Sequence, residues 1–167
     1  MLPMSVEADL LKAYPIKYGA PPYRPYESLL VKDYEEKSEL LLFVPSKLAL
    51  HLTRSQQKGK TVKGHKLLSK MQCKPVLRAT VVDHFFPAAQ HVLRACLQKK
   101  QEEVGYGGIV LLFLGTVFYY NNAPERFYVS GLTLGEAGLE RELICLDKEF
   151  DRRHFIAVYE GDGLAVD

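Results

Sequence analysis

The sequence predicts an α+β fold: a mixed, mostly antiparallel sheet with one principal helix, about 87–103, packed on it and preceded by an extended N-terminal arm. Three observations lead there. Short β-rich runs bounded by Pro, Gly and Asn recur along the chain. One segment, Pro87 to Glu103, has a sustained helical apolar period. Five of the nine prolines precede Glu27. A chain of 167 residues, 47% of them apolar, can bury one core, so a single globular domain is expected over 39–167 behind an arm and charged connector over 1–38.

In the arm, Pro3, Pro15, Pro21, Pro22 and Pro25 interleave with Tyr14, Tyr18, Tyr23 and Tyr26, which favours extended or polyproline backbone. A short helix is expected at Val6–Ala13, and a charged connector at Lys32–Glu39. Leu40–Val44, closed by Pro45, reads as a buried strand. The next segment has two readings: Ser46 as cap of a helix to Gln57, or a strand through the alternation Leu48, Leu50, Leu52. Ser55–Gly64, with two glycines and no apolar period, reads as a basic loop.

His65–Met71 and Val76–Val82 have strand character, with a break at Lys74-Pro75. Pro87 suits the first helical position, and Ala88, Ala89, Val92, Leu93 and Cys96 recur at three- and four-residue steps. Gly105, Gly107 and Gly108 stop that helix. The run Ile109–Tyr120 then predicts a central strand buried on both faces. Asn121-Asn122-Ala123-Pro124 predicts a hairpin turn into Arg126–Ser130, Gly131–Gly138 a loop, and Glu142–Leu146 and His154–Tyr159 two more strands.

Charge is segregated along the chain. Between Leu40 and Val82 there is no acidic residue and there are nine basic ones: Lys47, Arg54, Lys58, Lys60, Lys63, Lys66, Lys70, Lys74 and Arg78. Residues 101–167 hold twelve acidic and five basic groups, while the whole chain is only +2. Such a block suits a polyanion, either anionic lipid or nucleic-acid phosphate, or the acidic third of a second copy. Pairing of the two blocks within one chain is the other reading.

Catalytic and metal chemistry is sparse. Gly59-Lys60-Thr61 lacks the earlier glycine of a phosphate-binding loop, because Arg54 occupies that position. Gly105-Tyr106-Gly107-Gly108 precedes a strand, where a dinucleotide site needs a helix N-terminus. Asp83, His84 and His91 are the one group with catalytic or metal potential, and no cysteine completes a zinc spacing around them. We therefore expect no catalytic residues, no metal and no cofactor. Cys73, Cys96 and Cys145, odd in number and far apart, read as reduced thiols. No apolar run reaches the roughly twenty residues of a membrane span, and no export signal is expected. The basic loop contains no aromatic residue, which favours backbone or headgroup electrostatics over base reading.

The arm carries a docking signal. Pro22 and Pro25 form a P-x-x-P step, flanked by Pro21 and Tyr23, and Tyr26 to Leu29 fits YxxL. An arm of this kind followed by a basic region and a small α+β domain resembles the layout of rhabdovirus matrix proteins, most closely the shorter plant-infecting type. The family's PPxY motif is not met at Pro21-Pro22-Tyr23-Arg24, while Tyr26-Glu27-Ser28-Leu29 fits its YxxL alternative.

The resemblance implies a non-enzymatic protein of the virion and host cytoplasm, peripheral at the inner face of a membrane. Its partners would be itself, the anionic membrane surface, the viral ribonucleoprotein or RNA, and host budding factors reached through the arm. The basic residues would meet membrane or nucleic acid, and Pro21, Pro22, Tyr23, Pro25, Tyr26 and Leu29 would serve self-association or docking. Two other readings are an RNA-binding accessory protein, such as a viral silencing suppressor, and a small enzyme built around Asp83 and His84.

Overall fold

The structure, a computed structural model, describes residues 11, 14–15, 29–34, 42–71, 79–136 and 138–159. In chain order they form β1 (Tyr14–Pro15), β2 (Leu29–Tyr34), β3 (Leu42–Phe43), a 3₁₀ turn at Pro45–Lys47, β4 (Leu48–His51), α1 (Arg54–Gln57), β5 (Val62–Lys63) and α2 (Gly64–Lys70). The long helix α3 (Ala79–Val104) follows. Then come β6 (Val110–Tyr120), β7 (Ala123–Gly135), β8 (Gly138–Cys145), β9 (Glu149–Phe150) and β10 (His154–Tyr159). The fold class is the α+β arrangement expected.

The main sheet has six strands in the order β4-β10-β6-β7-β8, with β2 also on β6. Only β10 runs parallel to β6; the other pairings are antiparallel. β10 takes the first part of β6, at Val110–Leu112, and β2 takes the last, at Thr116–Tyr120. The ribbons β1–β3 and β5–β9 stand apart from this sheet.

Strand β6 reads as an unbroken apolar run because both of its faces are covered. Leu111 and Phe113 pack with Val92, Leu93 and Leu97 of α3 and with Phe155 and Ala157 of β10. Leu112 and Leu114, one position out of phase, pack with Val62, Leu67, Met71, Phe150 and Ile156. Helix α3 thus covers one face of the sheet, and α2 with the β5–β9 ribbon covers the other. Phe113, Phe150, Phe155, Leu67 and Leu97 are almost wholly buried, each worth about 1.5–3 kcal/mol of transfer free energy.

Several sequence expectations are corrected. The principal helix begins at Ala79, not near 87, so Thr80, Val81 and Val82 are helical and Pro87 lies inside the helix. The helix cost of β-branched residues is only some tenths of a kcal/mol each, small beside the burial of Val92, Leu93 and Leu97 further along the same helix. His65–Met71 is helical from Gly64 to Lys70, because Leu67 and Met71 at i and i+4 turn inward while Lys66 and Lys70 turn out.

Ser55–Gly64 is not a loop throughout. Thr53 and Gln56 form a reciprocal capping box that starts α1, a turn follows through Gly59 at φ +80°, and Val62–Lys63 pairs as a strand. Gly131–Gly135 continues β7 and pairs with β8, so the expected loop contracts to the turn before Gly138. The connector assigned from Lys32 begins as part of β2, which extends the sheet into the region assigned to the arm, since the second half of β6 would otherwise present an open edge.

Other expectations hold. β4 settles the two readings of the Leu48–Leu52 segment in favour of strand, with α1 confined to Arg54–Gln57. The central strand, the Asn121-Asn122 hairpin and the strand at His154–Tyr159 are all present. The Val6–Ala13 helix lies outside the described residues except at Leu11, which is helical, and the tail after Tyr159 lies outside them as well.

Candidate polyanion-binding surface

The basic block is built on the layer that covers the sheet opposite α3. The capping box fixes the start of α1 at Thr53, and Gln56, fully buried, donates its Nε2 hydrogens to the carbonyls of Asp151 at 2.9 Å and His154 at 2.8 Å. An amide aimed at two backbone acceptors ties the basic segment to the turn before β10. Val62 points inward and Lys63 outward on β5, opposite Phe150 and Glu149 of β9.

Helix α2 is then seated very close to the turn after β8. The Gly64 N–H donates to the Lys148 carbonyl at 3.0 Å. A β-carbon at Gly64 would come within 2.7 Å of the Leu146 Cα, so only glycine allows this approach of two backbones. Leu67, fully buried, anchors the helix from the inside.

With the backbone held in this way, Arg54, Lys58, Lys60, Lys63, Lys66 and Lys70 are exposed. None of the six makes an ion pair among the described residues. Lys63, Lys66 and Lys70 converge on one groove of about 350 Å³, which Ser55, Thr61, Val62, His65 and Glu149 complete. Lys47 lies apart from that groove, half-buried in the 3₁₀ turn before β4, and Lys74 and Arg78 lie outside the described residues. Six of the nine sequence-predicted cations are therefore placed on exposed surface, and three of them share a site.

The acidic third meets this layer at the Lys63–Glu149 register pair and at a side-chain contact. His65 Nε2 lies 3.0 Å from Asp147 Oδ1, and Arg126 Nε lies 3.9 Å from Asp147 Oδ2. The hydrogen bond from His65 holds the Asp147 carboxyl below the ordinary aspartate range against the opposing effect of desolvation, and the charge of Arg126 adds to the lowering. The His65 ring also meets Phe127 edge-on, with centroids 6.0 Å apart. Asp147, Glu149, Arg126 and Phe127 escape sequence reading because they come from β7, from the turn after β8 and from β9, some sixty to eighty residues further along the chain.

No protein-family model, no curated protein and no solved structure matches this chain. Function is therefore argued from the site itself.

The other candidates are less developed. Of the docking motif, Pro21, Pro22, Tyr23, Pro25 and Tyr26 lie outside the described residues, and Leu29 opens β2 opposite Tyr120. Tyr14–Pro15 pairs with Leu42–Phe43 of the same chain. Asp83, His84 and His91 all fall on α3, with His91 exposed and the side chains of Asp83 and His84 outside the described ones. Among the described residues no three metal-ligating side chains cluster. No helix among them is long and apolar enough to cross a membrane.

A second groove, about 320 Å³, runs between β4 and α3 and is lined by Leu48, Leu50, Cys96, Lys99, Lys100 and Glu103, among others. Burial pushes the Cys96 thiol above its ordinary range, with Lys99 acting weakly the other way, so this sulfur is a poor nucleophile. Cys96 and Cys145 are free thiols, and Cys73 lies outside the described residues.

Proposed function

We propose that this chain is a non-enzymatic structural protein of the viral matrix type, which self-associates and uses the α1–β5–α2 layer to bridge anionic membrane and ribonucleoprotein. The observation that carries the reading is the set of six exposed cations on that layer, none of them in an ion pair among the described residues. Unpaired charge of one sign recruits counter-charged surfaces through a field that extends about 8–10 Å in physiological salt. Self-association is supported by the open sheet: β4 and β8 each pair on one side only among the described residues, and a free strand edge can accept a strand from another copy.

The test is vesicle flotation with and without phosphatidylserine, run beside an RNA mobility-shift titration at two salt concentrations. The matrix reading expects lipid-dependent flotation and only weak RNA retention that salt abolishes. Tight, salt-resistant duplex binding without flotation would replace it with the RNA-binding accessory reading. Sedimentation of the full chain and of a chain lacking residues 1–28 tests the arm, and concentration-dependent assembly that survives the deletion would assign self-association to the sheet edges.

A further inference from the structure

We infer that the groove between α1, β5 and α2 is a discrete site for a phosphomonoester dianion, not merely one part of a diffuse basic surface; the inference rests on the polyanion-binding reading and sharpens it. Three ammonium groups line the groove, from Lys63, Lys66 and Lys70, and one carboxylate, Glu149, which leaves a formal charge of +2. A phosphomonoester carries about −1.5 to −2 at neutral pH, whereas a diester carries a single charge. The charge match favours the monoester.

The donor set agrees. Ser55 and Thr61 add two hydroxyls to the lining. A monoester presents three terminal oxygens, and three ammonium groups with two hydroxyls supply enough donors to satisfy them. Lys63, at the end of β5, is the N-cap of α2, and Lys66 and Lys70 follow it at three- and four-residue steps, so the three cations line the groove along one exposed side of the helix.

The backbone beneath is fixed before any ligand arrives. Gly64 is held to Lys148, Leu67 is fully buried, and Gln56 holds α1 to the β9–β10 turn. A rigid frame lowers the ordering cost of binding, although the lysine side chains still lose rotamer freedom. Glu149, directly opposite Lys63 on the neighbouring strand, opposes any anion and sets the limit on how much charge the groove accepts.

The phosphate could belong to a membrane lipid or to a soluble phosphorylated molecule, and the experiment separates the two. The full chain is floated with phosphatidylcholine vesicles containing phosphatidic acid, a monoester, or phosphatidylserine, a diester, at matched surface charge; glycerol 3-phosphate is titrated separately in solution. The expected result is binding to phosphatidic acid about tenfold tighter than to phosphatidylserine, a difference of about 1.4 kcal/mol. Lys66→Gln should erase that preference. Lys60→Gln, which removes equal charge outside the groove, should leave it intact, and Glu149→Gln should strengthen binding to both lipids.

Equal binding to the two lipids, with Lys66→Gln and Lys60→Gln equivalent, overturns the groove while leaving the diffuse polyanion reading in place. Saturable glycerol 3-phosphate binding that Lys66→Gln removes, with no flotation on either vesicle, supports the groove and overturns the membrane reading. Circular dichroism melts of each variant confirm that these exposed substitutions leave the fold intact.

Discussion

His65 and Asp147, eighty-two residues apart in sequence, meet at 3.0 Å on the rim of the basic groove. This contact joins the basic block to the acidic C-terminal third within one chain. It is local, because the six exposed cations of the layer take no part in it. The six exposed cations of the layer thus stay together on one surface, with Glu149, opposite Lys63 in register, as their acidic neighbour.

Asp147 restrains the field of the groove. Asp147→Asn removes a negative charge beside His65, which lines the groove, and should raise affinity for anionic vesicles about two- to fivefold at low salt, with the gain shrinking as salt is added. Flotation across a salt series measures it. An unchanged affinity would show that the bound anion lies beyond the reach of Asp147.

Gly64→Ala tests the seating of α2. A methyl group there meets the Leu146 backbone at 2.7 Å, and backbone cannot move aside as the end of a side chain can. The expected cost is about 1–3 kcal/mol in urea unfolding, together with loss of the phosphatidic acid preference, although no charge has changed. A variant as stable as the parent would mean that α2 docks less closely than 64 to 146 requires.

His154 should make the fold sensitive to mild acid. Its Nδ1 lies 3.0 Å from Asp151 Oδ1, a contact that needs the nitrogen protonated, and 3.2 Å from the Asp151 N–H, a contact that needs it bare. Burial lowers the His154 pKa, and this outweighs the attraction of Asp151. The unfolded chain therefore binds the proton more readily, and stability falls as pH drops below the ordinary histidine value of about 6.5.

Asp151 acts in a separate window. Partial burial pushes its carboxyl up, but the Arg153 N–H and His154 together bring it below the ordinary aspartate range, so its contribution is present at neutral pH and lost only in stronger acid. Thermal melts across pH 7 to 5 should show a decline that His154→Gln flattens, and a parallel decline in parent and variant would assign it elsewhere.

Legibility varied with the range of the determining contacts. The hairpin at Asn121-Asn122 and strand β6 were readable because turn chemistry and an unbroken apolar run are local signals. The capping box was equally local: Thr53-Ser55-Gln56 carries the T-x-x-Q signature, which the glycines and lysines that follow obscure. Helix α2 had a signal too, since Gly64–Lys70 contains no β-branched residue and places Leu67 four positions before Met71. The start of α3 had the opposite signal, as Thr80, Val81 and Val82 favour strand by propensity yet belong to a helix whose later turns pack on the sheet through Val92, Leu93 and Leu97.

By itself, the sequence determined the α+β class, the central strand and the acid-free block of nine cations, because composition, periodicity and turn residues act over a few positions. Only the tertiary structure decided that Lys63, Lys66 and Lys70 share one groove while Lys47 does not, and that Asp147 and Glu149 stand at its rim. Those placements depend on which strands pair and on how closely Gly64 lets two backbones approach, and contacts between distant segments leave no periodic trace in a single chain.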